Sequence, residues 1–550
     1  MVPGGTILSP LDPSMYSWRQ SLLSPSQWHR LALSNECMWF SRPKDPHELF
    51  ICTLITLNRP ISPPTLTSAA SLAWQILRFQ VPELGVDATC TEDGAVYMQY
   101  RMLHSQAEVD AWVDRTSHFE NGRDALTFKE LKTKGLSKKC GHDSDKTFLL
   151  LYSQATRNGE DDRVENVQVM LYADHQVMDG TGLKILLGKY LSLLASALKE
   201  PTELQQDEIK WSESYKNLSK PWIQHMNDDQ VISGPEYEGT VTRNQDIILN
   251  ELKLNPGLPL SQNTQNTRPA SQETHFITLS PTHTSAILQA IKEVLGPASN
   301  ITHLCHAALV LALLRNSSPC SSSSQPSSQT LYSPCWLNGR RYLKPTPACP
   351  SPTTDYIPIC LSFAPIIFND IGELALSRTA SRDEIREKLL KACRMATDQY
   401  VGVRERKSML PGCVNLFEDI GRMMLLNKRT DQAATNHNPP NDNNIATRSS
   451  KTAEPFLLSD GLTEQYISHT YPPSSTPSTL PSHPSSQPTL TIQIIHFAAH
   501  AEQNLIVRMS SWRGSTTISG EWRGEDYEDG VVVGFLEDVV GIMGMIVEGG

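Results

Sequence analysis

The sequence predicts a mixed α/β fold (α+β), with strands and helices interleaved and the chain built in two halves. Three observations carry that expectation. At 550 residues the chain exceeds what one hydrophobic core sustains, and it is long enough to bury an enzyme-sized cleft. Strand-like and helix-like stretches alternate along it. Apolar periodicity fades between about 216 and 272, then "THFITLS" (274–280) opens a fresh strand-then-helix unit. The expected division is an N-terminal half over 15–215, a linker over 216–272 and a C-terminal half over 273–550.

In chain order, "LFICTLITL" (49–57) and "KTFLLLYS" (146–153) are rich in residues that favour strands. "VQVML" (167–171) sets Val167, Val169 and Leu171 on one face at the two-residue strand period. "PTLTSAASLAWQILRF" (64–79) instead places Leu66, Ala69, Ala73, Ile76 and Leu77 at helical intervals. "PTHTSAILQAIKEVLG" (281–296) and "RDEIREKLLKACRMATDQY" (382–400) do the same. "VVVGFLEDVVGIMGMIV" (531–547) reads as a closing amphipathic helix; it is interrupted by Glu537 and Asp538 and too short for a bilayer, so no membrane span is expected. Four Pro/Ser/Asn-rich stretches, at about 255–273, 316–330, 429–454 and 471–488, have little to bury and are expected as loops or disordered insertions.

A net charge of -11 without a Lys/Arg cluster argues against a nucleic-acid partner and leaves small molecules as the expected ligands. The eleven Cys show no CxxC spacing, which suits reduced, buried thiols. The start, "MVPGGTILSPLDPSMYSW", lacks a basic region followed by an apolar run. A cytoplasmic monomer is the expectation, in which the sequons at Asn217, Asn300 and Asn316 carry no meaning. "TRNGEDDR" (156–163) reads as a solvated hairpin loop. "HLCH" (303–306) offers two histidines in an apolar helical pattern without a second ligand pair, so no metal is expected there.

"NVQVMLYADHQVMDGTGLKILLGKYLSLLASAL" (166–198) holds the segment that stands out. A strand ends near Tyr172, helical spacing begins at Leu183, and the ten residues between form a crossover with His175 inside it. A side chain there can be aimed into a cleft while rigid elements hold it. Asp179, Gly180 and Thr181 lie at the helix start, where Asp or Thr can cap free N–H groups and Gly permits close approach. The bland alternative is an ordinary cap preceded by an incidental, core-satisfied histidine.

"HQVMDG" in a strand-to-helix crossover resembles the HxxxDG signature of the CoA-dependent acyltransferase superfamily, built on the chloramphenicol acetyltransferase fold. "NITHLCHAALVLAL" (300–313), "WLNGRRYL" (336–343), "YIPICLSFAPIIF" (356–368) and "FLLSDGLTEQYI" (456–467) follow in that superfamily's order. The likeness covers roughly 15–545 outside the insertions. Within the superfamily the chain looks most like fungal secondary-metabolism O-acetyltransferases similar to trichothecene 15-O-acetyltransferase, with a comparable Trp-rich start in "YSWRQSLLSPSQWHRLALSNE". The resemblance implies two chloramphenicol acetyltransferase-like halves forming a V-shaped pseudo-dimer, with the active site at their junction. It also implies an acyl-CoA-dependent O-acyltransferase of mycotoxin-type biosynthesis. Such an enzyme has no bound cofactor and takes acetyl-CoA or another acyl-CoA as co-substrate and a small-molecule alcohol as acceptor. Asp174 stands where condensation domains usually carry a second His, and the DFGWG motif and a carrier-protein Ser motif are missing, which favours free acyl-CoA. A carrier-dependent condensation enzyme and a non-catalytic binding protein on the same fold are the rivals.

Under that resemblance His175 is the general base, since a neutral imidazole with a pKa near 6.5 suits removal of a hydroxyl proton. Asp179 orders the crossover by pairing with an Arg of the second half, with Arg340 of "NGRR" the candidate and Arg341 its rival; Asp179 as a simple N-cap is compatible with either. Gly180 is expected where a Cβ would crowd substrate or a neighbouring strand. Ser459 of "LLSDG" is either an oxyanion donor or part of a Ser-Asp-Gly turn.

Overall fold

The computed structural model describes residues 11–41, 48–139, 145–158, 161–199, 209–252, 255–259, 271–317, 330–423, 452–472, 489–501 and 504–547. The first long strand, β1 (Glu48–Ile61), is apolar without alternation because both its faces are covered. Leu49, Ile51 and Ile55 pack with Trp74, Leu77 and Leu187. Phe50 and Cys52 pack on the other side with Leu131, Phe148 and Met170. Strands β2 (Ser117–Gly122), β3 (Thr147–Asn158) and β4 (Asp161–Asp174) extend the sheet, β4 lying antiparallel to both β1 and β3. "TRNGEDDR" is thus paired strand almost to its tip, Asn158 opposite Asp161, with 159–160 outside the described residues. Helix α1 (Asn35–Ser41) precedes β1. Helix α2 (Pro63–Gln80) follows it, with the Ser62 hydroxyl accepting from the Thr65 N–H as its N-cap and Pro at its first turn. The five residues picked out by helical spacing in α2 are all buried. Helix α3 (Phe128–Lys139) covers the opposite face through Leu131. Helix α4 (Gly180–Lys199) buries Leu183, Leu186, Leu187, Tyr190, Leu191 and Leu194 against α2 and the sheet. Length and hydropathy would also let α4 cross a bilayer, but its apolar surface is spent on this core.

The second sheet draws on strands β5 (Gln272–Leu279), β6 (Leu331–Asn338), β7 (Leu361–Phe368), β8 (Phe456–Leu462), β11 (Ile506–Trp512) and β12 (Ser515–Arg523). Helix α5 (Pro235–Asp246) precedes it, and α6 (Pro281–Val294), α7 (Ile301–Asn316), α8 (Arg382–Glu405) and α9 (Asp529–Gly544) pack around it. In α7 residues 303–313 are buried without a break, so it has no polar face and forms the centre of this half. Its histidines are core residues: His303 Nδ1 lies 3.1 Å from Thr397 Oγ1, and His306 lies 2.9 Å from Tyr400 Oη and 2.6 Å from Ser333 Oγ. Burial pulls them down to about 4 and about 3, so both are neutral at pH 7.

Two expectations of the chain's division need correction. Strands β9 (Thr470–Tyr471) and β10 (Leu490–Ala499), although late in sequence, belong to the first sheet, whose order is β9-β10-β1-β4-β3-β2; the second reads β5-β12-β11-β8-β6-β7. Ile51 of β1 faces Phe497 of β10 across that seam. The expected linker is also more than a connector, since α5 joins a cluster of Tyr237, Val241, Trp222, Tyr342 and Leu410 with Tyr16 and Leu33 of the N-terminal segment. Only Tyr237, Thr240, Val241 and Asn244 of that helix are buried, and the polar residues among them blur the pattern. Beside this cluster the Tyr16 hydroxyl donates to Glu418 Oε1 at 2.9 Å, and burial raises the Glu418 carboxyl to about 7 against the pull of Arg422. The four low-complexity stretches fall mainly outside the described residues; where their ends are described, Thr452–Ala453 pairs with Leu258–Pro259.

Candidate active site

Pairing of β4 runs on to Asp174, opposite Glu48, and α4 starts at Gly180, so the crossover is five residues, 175–179, rather than the ten expected from the apolar pattern. The pattern misses the difference because Ala173 and Asp174 still pair, and Gly180 to Gly182 are helical without contributing apolar periodicity. Asp174 Oδ1 accepts from the Gln176 N–H at 2.9 Å, a local turn that starts the bend.

Asp179 ends it. Its two oxygens take a bidentate pair from Arg340, 2.9 Å on each arm, and also accept from the N–H groups of Gly182 at 2.8 Å and Cys360 at 2.9 Å. The Arg340 guanidinium donates further to the carbonyls of Tyr356 at 2.7 Å and Pro358 at 3.0 Å. Side-chain exposure is 1% for Asp179 and 0% for Arg340, so this is a buried pair with both partners saturated, in which cap and ion pair coexist. Arg341, the rival, is exposed and does not reach Asp179. A Cβ on Gly180 would meet the Phe497 ring of β10 at 2.8 Å, which is the strand contact expected of that glycine. Two glycines not singled out in the sequence are tighter still, with a Cβ meeting the Ile357 carbonyl at 2.1 Å from Gly182 and the Tyr466 carbonyl at 2.3 Å from Gly188.

His175 projects half-buried from the crossover and stacks on Trp39 of α1, centroids 4.1 Å apart and planes 16° from parallel. Helix α1 is held by Glu36, which takes a bidentate pair from the buried Arg30 at 2.7 and 2.6 Å. His175, Trp39 and Gly180 line a cavity of about 680 Å³ between the two sheets, an ordinary size for a ligand site. Ser459 and Thr302 line it from the second half, their hydroxyls 2.8 Å apart. "LLSDG" is therefore strand β8 and not a turn; a bulge falls between Ser459 and Gly461, and Gly461 takes φ +66°.

Asp460 and Arg508 of the cavity lining belong to a buried charge cluster that sequence reasoning missed. Lys184 Nζ is 3.2 Å from Asp460 Oδ2, Arg508 reaches Asp460 at 3.1 Å, and Arg508 reaches Glu521 at 2.9 and 3.1 Å. Glu521 also accepts from the Ala499 N–H at 3.1 Å, and the Arg508 guanidinium lies 4.4 Å from the centre of the Phe497 ring. Burial opposes ionisation of Asp460, but Lys184 and Arg508 hold its carboxyl below the ordinary value; burial lowers the Lys184 ammonium in spite of Asp460. Its members are spread over four elements, so no local motif announces it. Among the described residues, no group of three His, Cys, Asp or Glu is placed to hold a metal ion.

A family model described as 15-O-acetyltransferase Tri3 matches residues 8–417. The chain is 22% identical over 552 residues to trichothecene 15-O-acetyltransferase TRI3 of Fusarium sporotrichioides and 24% identical over 564 residues to trichothecene O-acetyltransferase TRI3 of Trichoderma arundinaceum, with 98% of each chain covered in both. The solved structure of the Fusarium sporotrichioides protein superposes with a TM-score of 0.78 at 20% identity, over 98% of this chain and 100% of that one. The first condensation domain of the calcium-dependent antibiotic synthetase shares the fold, with a TM-score of 0.54 at 11% identity over 94% and 96%.

Proposed function

The chain belongs to the 15-O-acetyltransferase Tri3 family and is an acyltransferase, and from that membership we infer that it moves the acetyl group of acetyl-CoA onto a hydroxyl of a trichothecene-type fungal metabolite, with His175 as general base. The observation that carries the assignment of the base is the placement of His175 on the cavity wall, at the start of a crossover locked by the Asp179–Arg340 pair. As the acceptor oxygen attacks the thioester carbonyl, His175 takes its proton. The tetrahedral intermediate then collapses, the C–S bond breaks, and the same proton passes to the departing thiolate, so no acyl-enzyme forms. Thr302 and Ser459 together carry two hydroxyl hydrogens, and their mutual hydrogen bond uses one; the other is available to the carbonyl oxygen as its charge develops. Asp179 has no part in proton transfer, because Arg340 and two backbone N–H groups occupy its oxygens. It positions the crossover. The test is thiol release by the purified chain from acetyl-CoA and from carrier-bound acetyl thioesters, against a panel of hydroxylated acceptors. Release from acetyl-CoA with one acceptor, cut roughly 10²- to 10⁴-fold in kcat by His175→Ala, is expected. Turnover with carrier-bound donors alone would overturn the donor, and unchanged turnover in the variant would remove His175 from the chemistry.

A further inference from the structure

Three guanidiniums line the cavity, and they differ in one respect. Arg508 is neutralised by Asp460 and Glu521. Arg341 and Arg404 have no carboxylate within ion-pair distance among the described residues, in a chain whose 59 acidic residues outnumber its 48 basic ones. Their placement follows from local structure. After β6, residues Gly339–Tyr342 form a 3₁₀ turn, in which successive side chains point about 120° apart. Arg340 is thereby turned inward to Asp179 while Arg341 stays exposed on the cavity wall. Arg404 comes from the last turn of α8, half a domain away in sequence. Arg404 is exposed on the same wall as Arg341; partial desolvation lowers its guanidinium and the charge of Arg341 lowers it further, so the two cations repel. The negative helix end accounts for a cation at 404 but not for a second one beside it on the same cavity wall.

We propose that Arg341 and Arg404 form an anion subsite of the cavity that holds phosphate groups of the acyl-CoA donor. This rests on the reading of the chain as an acyl-CoA-dependent transferase. Two guanidiniums that repel one another, with no acid between them, are relieved by a dianionic or doubly phosphorylated ligand, and planar N–H forks suit phosphate oxygens. The pair belongs to the second half, as do Tyr400 and Cys335 beside it on the cavity wall, whereas His175 belongs to the first. In this reading the two halves share the donor, the second gripping its phosphates and the first presenting the base to its thioester.

The experiment compares Arg341→Gln, Arg404→Gln and the double variant with the unmodified chain, using acetyl-CoA and acetyl-pantetheine, which carries the same thioester without phosphates. Each single variant should raise KM for acetyl-CoA roughly 10-fold with kcat nearly unchanged, the scale of one charge-assisted contact at a partly exposed site. With acetyl-pantetheine all four proteins should behave alike. Equal losses with both donors, or none with acetyl-CoA, would overturn the subsite. Calorimetric titration with CoA and with pantetheine keeps the test separate from turnover. Absence of turnover with every donor sinks the proposed reaction, while CoA affinity that falls in the double variant, with pantetheine affinity unmoved, upholds the subsite. CoA affinity that does not fall overturns it.

Discussion

Helix α4 is tied to the second half twice, with opposite polarity. At its start the helix side supplies the acid, Asp179, and the second half the cation, Arg340; one turn further on the helix supplies the cation, Lys184, and the second half the acid, Asp460. Both are buried, and they differ in redundancy. Asp179 has one cation and two backbone donors, whereas Asp460 is shared by Lys184 and Arg508, and Arg508 is shared in turn by Glu521. A docking of α4 slipped by one turn would set Lys184 toward Arg340, so the reversed polarity specifies register as well as contact. Glu418 marks the third possibility, a largely buried carboxylate joined to Tyr16 with no cation within ion-pair reach among the described residues, whose proton is retained to about 7.

If redundancy is what separates the two ties, Arg340→Met should be the most damaging change. It leaves Asp179 buried without a cation, at about 3–5 kcal/mol, and activity should fall with stability. Asp179→Asn added to it should cost little more, because the pair is already broken. Additive losses by denaturant titration would mean the two residues act separately. Lys184→Met should cost less, about 1–3 kcal/mol, since Asp460 keeps Arg508. A loss equal to that of Arg340→Met would break the distinction.

The pH dependence sharpens it. Asp460, held below its ordinary value, contributes stability above the unfolded value near 3.9 that is lost as pH falls through the lower folded value. Glu418 acts in the opposite sense. Folded, it keeps its proton to about 7, while the unfolded chain releases it near 4.3, so its stabilising contribution is complete below that pH and drains away as pH rises to about 7. Glu418→Gln should therefore gain about 2–3 kcal/mol relative to the unmodified chain between pH 5 and pH 8, read from melting curves across that range. A flat difference would mean that Glu418 is ionised in the folded protein. The smallest effect is expected of Gly180→Ala, about 1 kcal/mol, because the Phe497 ring can yield. Gly182→Ala meets the Ile357 carbonyl and should cost several-fold more, with the ratio of the two losses as the measurement.

What the sequence made legible follows the same division. His175, Asp179 and Gly180 sit within six residues, and Arg340 follows an Asn-Gly, so a local pattern exposes them. Trp39, Phe497 and the Lys184, Asp460, Arg508 and Glu521 cluster do not, because each acquires its meaning from a partner on another element. Apolar spacing picks out residues of the buried face of α2 and the apolar run of α4, but it says which side of an element is covered and not by what. Hence residues 490–499 are expected with the C-terminal half although they form β10 of the first sheet.

That strand also bears on how the protein is made. Thr53 of β1 donates its hydroxyl hydrogen to the carbonyl of Ile494 in β10, 441 residues away. At ribosomal rates of about 5–20 residues per second, roughly 20–90 s separate synthesis of these two residues. For that interval β1 has an open edge, a row of unpaired backbone groups able to recruit any extended chain nearby. A nascent first half is therefore a client for chaperones until its closing strand arrives, and the junction that shapes the cavity is among the last parts of the molecule to form.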